Sequence, residues 1–434
     1  MTARFHELPI IDDVLAGRFA APELGGPLAT AIRRVVVADS LAGAEQELVA
    51  SLGLGSRLAV VADERTWTAL GQRVAAALPG AEAVVLDHPK ADEATADLLQ
   101  ERTRHADALV AVGSGTLNDL CKYVTHRTGR SCAVFATAPS MDGYVTTTVS
   151  ITRGGLKLSL PAQAPVGVFF DLGVLAAAPL RMVRAGLGDT VCRSTAQVDW
   201  LLSHLLLDTR YAETPYRLMA TDEPLLYAQA HRLPAGDLGA MLLLTRMLIL
   251  SGLGVLVTHT SHCGSMGEHS ISHFIDTFAR PHPGTLHGEQ VGIATWSMAR
   301  LQAAMLDSAE PPRLRPLAMD EARFDRAYGP LASSCLNAVR AKPYDVSAAD
   351  RLDRRLAERW PSMRERLLAV MLPAAEVERV MRDAGAALEA GELGVEPTFY
   401  RRAVGHAHEL RDRYGFLDLA AQAGRLQEFA AGEG

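Results

Sequence analysis

Between Arg34 and Asp171 the chain alternates short β-branched runs with helical stretches, and that rhythm restricts the fold more than any other feature. The runs Val35–Ala38, Leu58–Ala62, Ala83–Leu86, Ala108–Val112, Cys132–Ala136 and Val166–Asp171 predict strands. The segments between the first five carry apolar residues at helical spacing. Such alternation builds βαβ units, and so a parallel sheet covered on both faces. Thr146–Thr152 and Lys157–Leu160, joined by Arg153-Gly154-Gly155, predict a β-hairpin. From about Pro179 the texture becomes helical: Asp189–Leu207, Gly239–Gly252, Met266–Ala279 and Glu289–Leu306 all show the 3.6-residue pattern, as do segments on to Arg413. The expected architecture is an α/β, Rossmann-like nucleotide-binding domain with a parallel sheet over residues 1–178. An all-α metal- and substrate-binding domain over residues 179–434 follows it.

The 434 residues exceed one ordinary core, in keeping with two domains. Net charge is -7 without blocks of like charge, which speaks against nucleic acid and acidic membranes as partners. The cysteines, Cys121, Cys132, Cys192, Cys263 and Cys335, are odd in number and show no close pairing. They suit a reducing cytoplasm better than a disulfide framework. MTARFHELPI shows no signal pattern. The apolar run Leu238–Val257 contains Arg246 and three glycines, so it reads as a buried core helix and not a membrane span.

In parallel sheets ligands collect at the carboxyl ends of strands, and three of those ends are chemically loaded. Asp63 could accept hydrogen bonds from ribose hydroxyls, or cap the helix that follows. Gly113-Ser114-Gly115-Thr116-Leu117 opens a helix and offers backbone N–H groups to a phosphate, although Asn118 stands where a dinucleotide motif has its third glycine. Thr137-Ala138-Pro139-Ser140-Met141-Asp142-Gly143-Tyr144 crowds hydroxyls and a carboxylate at a further strand exit.

The stretch Met266–Val291 carries His269 and His273 one helical turn apart, then His287 after a Pro- and Gly-containing loop. Upstream, Gly186-Leu187-Gly188-Asp189 supplies a carboxylate at an expected helix start. Imidazole nitrogens with one carboxylate oxygen suit zinc, nickel or iron, with a position left open for substrate. Asp189, His269 and His287 form one such set; His269 with His273 forms another. Glu268 and Glu289 could orient ligands or lie on solvated helix faces.

Taken together, TAPSMDGY, the Gly-Leu-Gly-Asp stretch, GEHSISHFID and LHGEQVGI resemble sn-glycerol-1-phosphate dehydrogenases, especially their bacterial branch, within the iron-containing alcohol dehydrogenase and dehydroquinate synthase-like superfamily. The resemblance spans about Val35 to Arg300. It implies a dehydroquinate synthase-like fold, one divalent metal held by Asp189, His269 and His287, and NAD or NADP. Nucleotide contacts are implied at Gly113, Ser114, Gly115, Thr116 and Leu117, at Thr137, Ala138, Pro139 and Ser140, and at Thr146. Substrate contacts are implied at Asp142, Asp189 and His273, with Asp142 or His273 relaying the proton. The implied reaction interconverts sn-glycerol 1-phosphate and dihydroxyacetone phosphate, in a homodimer. Lys157 and Arg193 are the candidate cations for the substrate phosphate. The run Ser261–Gly267 departs from the family's Arg-Pro-Ala-Ser-Gly-Ser, which bears on the exact polyol. Competing readings are a dehydrogenase of glycerol or another unphosphorylated polyol, a cyclase using NAD transiently, and a non-catalytic relative.

Overall fold

A computed structural model of the chain describes residues 4–26, 30–154 and 156–434, with the side chains of 156 and 157 left out of the description. The strands are β1 (Arg34–Ala38), β2 (Leu58–Asp63), β3 (Glu82–Leu86), β4 (Ala108–Gly113), β5 (Ser131–Ala136), β6 (Thr148–Arg153), β7 (Leu156–Pro161) and β8 (Gly167–Asp171). Six of them form one sheet in the order β1-β8-β5-β4-β2-β3, every pair parallel. β6 and β7 pair antiparallel, with Thr152 opposite Lys157, as the glycine-rich turn predicts. The strands lie within about a residue or two of their expected limits, because fully buried runs such as Ala-Leu-Val-Ala-Val have no other stable placement.

Six helices carry the chemistry: α1 (Gly115–Thr128), α2 (Leu180–Val191), α3 (Arg193–Leu207), α4 (Leu238–Thr258), α5 (Gly267–Phe278) and α6 (His287–Leu306). The chain forms two compact units. The first comprises residues 1–190 and 213–260, the second residues 191–212 and 261–434. The sequence suggested one boundary near residue 178, whereas residues 213–260 pack with the first unit. The physical reason is α4, which is apolar all round and so needs cover on every side. It obtains that cover in the first unit, against the helices Thr214–Met219, Asp222–Gln229 and Leu172–Ala176 and the turn Gly143–Val145. Among the described residues α4 is the one helix long and apolar enough to cross a membrane, and 89% of its apolar window is buried.

The second unit is helical throughout. Ile271, Phe274 and Ile275 of α5 point into one core with Val198 and Leu202 of α3 and Ala294, Met298 and Leu301 of α6. That i, i+3, i+4 spacing leaves His269, His273 and Asp276 on the remaining face of α5.

Candidate active site

The parallel sheet brings the carboxyl ends of β2, β4 and β5 to one edge of the first unit. Ser114 is the N-cap of α1, and its side chain makes no cap hydrogen bond. The first intrahelical bond runs from Asn118 N–H to Ser114 O at 3.0 Å. The N–H groups of Gly115, Thr116 and Leu117 precede it and are available to an anion. Thr137 N–H donates to Gly113 O at 3.2 Å, tying the two loaded strand ends together. The buried Tyr144 hydroxyl donates to Ala138 O at 2.7 Å and fixes the Thr137–Ser140 segment from below. Asp63 does act as an N-cap: its Oδ1 accepts the Thr66 N–H at 2.8 Å, leaving Oδ2 for a further donor.

Lys122, which the sequence analysis passed over, anchors this edge. It is wholly buried, and its ammonium donates to Gly143 O (2.8 Å), Thr146 Oγ1 (3.1 Å) and Thr148 O (2.8 Å). Burial pulls its pKa below the usual lysine range, opposed by the charges of Asp119 and Asp142. Thr146 is thereby held against α1. A partial signal was present: Asn118 and Lys122 stand four apart, interleaved with the apolar Leu117, Leu120, Cys121 and Val124, and polar residues so placed need partners.

Asp142 and Asp189 are joined directly, the Asp142 N–H donating to Asp189 Oδ2 at 3.0 Å. Ser251 of α4 donates to Asp142 Oδ2 at 2.6 Å. Asp189 is 3% exposed and lies in the last turn of α2. Here the expectation of a glycine turn opening a helix fails, since Gly186-Leu187-Gly188 is helical. Gly186 lacks a side chain for another reason: the Pro139 carbonyl oxygen occupies the space, 1.7 Å from where a Cβ would sit.

His269 lies in the first turn of α5 and His287 is the first residue of α6. Their ring centroids are 5.0 Å apart. Asp189, His269 and His287 each present a ligand atom, all within 4.8 Å of one another. His273 is outside this set, its ring 6.4 Å from that of His269 and 6.3 Å from that of His287.

The surrounding groups set the tautomers such a centre requires. Glu268 Oε1 lies 2.9 Å from His269 Nδ1, which makes Nε2 the candidate ligand nitrogen. Glu268 is fully buried. Burial pushes its carboxyl up, but the hydrogen bond and charge of His269 and the Met266 N–H outweigh that and hold it below the ordinary range. Asp199 accepts the Gly267 N–H at 3.1 Å and anchors this first turn; burial and the charge of Glu268 push it up to about 7. On α6, Gln290 Nε2 donates to Asp276 (2.9 Å) and Thr285 (2.8 Å), which turns its Oε1 toward Ser272. Ser272 spends its one proton on that oxygen at 2.7 Å. It can then only accept from His287 Nδ1, 3.3 Å away, which makes His287 Nε2 the candidate ligand nitrogen. The donor set therefore fits a zinc-, nickel- or iron-type cation. Ser272→Ala should lower metal affinity about 10- to 100-fold without altering the fold, a loss that titration of metal-free protein would measure.

Glu289 serves as a cap, accepting the Leu286 N–H at 2.7 Å. Arg193 is 1% exposed beneath the turn Ser261–Gly264, its Nη1 3.5 Å from Cys263 Sγ. The Lys157 side chain lies outside the described residues.

Comparison with known proteins finds relatives over most of the chain. Residues 36–179 match the model of the iron-containing alcohol dehydrogenase family. The chain is 30% identical over 378 residues to glycerol-1-phosphate dehydrogenase [NAD(P)+] of Halalkalibacterium halodurans, covering 82% of this chain and 84% of that one. It is 29% identical to the protein of that name from Bacillus licheniformis, covering 91% and 90%. In fold it is similar to glycerol dehydrogenase from Schizosaccharomyces pombe (TM-score 0.58, 16% identity, 92% and 90% covered). An iron-containing alcohol dehydrogenase from Corynebacterium glutamicum gives a TM-score of 0.60 at 16% identity, with 92% and 94% covered. The chain belongs to the glycerol-1-phosphate dehydrogenase family of the iron-containing alcohol dehydrogenases.

Proposed function

We propose that this protein interconverts sn-glycerol 1-phosphate and dihydroxyacetone phosphate with NAD(P), using one divalent metal. The observation that carries the reading is the convergence of one carboxylate and two tautomer-fixed imidazoles, with Asp142 hydrogen-bonded to that carboxylate. When bound, a cation of this type polarises a secondary alcohol or ketone oxygen, and the nicotinamide takes up or delivers hydride.

The chain's own residues do the rest. The N–H groups of Gly115, Thr116 and Leu117 receive the dinucleotide phosphates, with Gly113 and Ser114 shaping the approach. Thr137, Ala138, Pro139, Ser140 and Thr146 line the same edge, and Asp63 Oδ2 takes a ribose hydroxyl. That last contact favours NAD, because a carboxylate repels a 2′-phosphate. Asp142, oriented by Ser251, accepts a substrate hydroxyl. His273, one turn beyond His269, moves the proton to and from solvent. The five free thiols are all buried, which supports a reducing, cytoplasmic setting. A homodimer is the family-like arrangement.

The test is oxidation of NADH with dihydroxyacetone phosphate, before and after metal removal and re-addition. Turnover should vanish with the metal and return with zinc, nickel or iron(II). Equal turnover of dihydroxyacetone and its phosphate would instead favour the unphosphorylated polyol. Absence of any net NADH change would favour the cyclase.

A further inference from the structure

A second cluster of charge sits within the helical unit, around the turn that leads into α5. Arg411 Nη1 donates to Ser265 Oγ at 2.9 Å and to Ser265 O at 3.4 Å. Arg413 Nη1 donates to the same carbonyl, and its Nη2 donates to Ser261 Oγ at 2.7 Å. Both guanidiniums are partly buried, and neither forms an ion pair among the described residues. Arg193 reaches the turn from beneath, occupying the space a side chain on Gly264 would need. Three cations thus surround five residues.

Carboxylates are close but committed. Glu268 is engaged by His269, by the Met266 N–H at 2.7 Å and by Thr195 Oγ1 at 3.3 Å. Asp412 is exposed and acts on the arginines only through space. Burial pulls Arg411 down to about 10; burial and the neighbouring Arg411 pull Arg413 down to about 9. Burial and the same two arginines pull His262 down to about 3, so it adds a neutral donor-acceptor and no charge at neutral pH. Both guanidiniums stay charged there, held side by side at a cost. The charges of Glu268 and Asp412 act on them only through space, so the two like charges still lack a hydrogen-bonded anion to complete the set.

The position matters as much as the charge. Ser265 lies two residues ahead of α5, so the turn that the arginines hold leads directly into the first helical turn, which carries His269. Guanidinium forks match the geometry of a phosphate. We propose that Arg411 and Arg413, over the Ser261–Ser265 turn, bind the phosphate of the polyol phosphate substrate. This rests on the reading above. It moves the phosphate contact from Lys157 to the C-terminal segment and leaves Arg193 as the support beneath the turn.

Arg413→Gln and Arg411→Lys, each with the folded state and metal content verified, are compared with the parent protein on dihydroxyacetone phosphate and dihydroxyacetone. Arg413→Gln should raise KM for the phosphorylated substrate at least tenfold with kcat within threefold. The preference for phosphate over no phosphate should fall by the same factor. Arg411→Lys, which keeps the charge but loses the fork, should lie between. Inorganic phosphate should compete with dihydroxyacetone phosphate in the parent and several-fold less well in Arg413→Gln. An unchanged preference ratio in Arg413→Gln, or equal loss on both substrates, would overturn the proposal. A parent protein with no preference for the phosphorylated substrate would instead defeat the underlying reading.

Discussion

Replacing His287 with alanine is expected to abolish stoichiometric divalent metal binding and to cut turnover by about a thousandfold or more, with circular dichroism and melting behaviour close to the parent. His287 is one of the three groups whose ligand atoms lie within 4.8 Å of each other. Without it the set falls to one imidazole and one carboxylate, too few for the three-protein-ligand arrangement of catalytic sites. A polarising cation contributes several kcal/mol to a developing oxyanion, and each 1.4 kcal/mol is tenfold in rate. His287 is the first residue of α6, where the fold depends on Val291, Ala294 and Met298 further along, so the loss should stay local. Metal analysis after dialysis, with turnover in added zinc, nickel and iron(II), tests this. A His287→Ala protein that keeps both metal and activity would remove the centre from the chemistry.

Gly186→Ala should destabilise the protein by about 2–3 kcal/mol or more and weaken nucleotide binding at least tenfold. Helix propensity alone points the other way, since alanine is favoured over glycine within a helix by about 1 kcal/mol. The sign of the change therefore discriminates between the two effects. A Cβ at Gly186 would meet the Pro139 carbonyl oxygen at 1.7 Å and its carbon at 2.8 Å. Those are backbone atoms, so no rotamer change relieves the clash, and the segment Thr137–Asp142 must move with them. That segment carries the proposed nucleotide contacts and the Asp142 N–H held by Asp189. Gly391→Ala, where nothing lies within 4 Å of the added carbon, is the matched control. Urea unfolding and fluorescence titration with NADH would measure both effects. A stabilised Gly186→Ala protein would show that this contact is not tight.

Much of the first unit was legible because buried parallel strands leave a clear signature: short β-branched runs, each followed by a helical stretch. The loaded strand ends followed from that, since one-way strands place all their exits on one edge. The hairpin was legible from its glycines. The spacing of Asn118 and Lys122 hinted at a polar contact, but the three partners of Lys122, Gly143, Thr146 and Thr148, lie more than twenty residues away, so the chain could not name them. Glu268 stayed open between orienting a ligand and lying on a solvated helix face, because nothing local betrays that the face it occupies is covered.

The sequence by itself determined the order of the elements, the residue types able to hold a cation, and the family resemblance. Each depends on neighbours in the chain or on side-chain chemistry alone. Only the tertiary structure set the ligand atoms of Asp189, His269 and His287 within 4.8 Å of one another. It also decided that Gly186 is a close approach and not a turn, that residues 213–260 return to the first unit, and that Arg411 and Arg413 meet the turn before α5. Those outcomes depend on pairs brought together across scores of residues. Spacing along a chain fixes which groups can share a helix face, but packing fixes which faces meet.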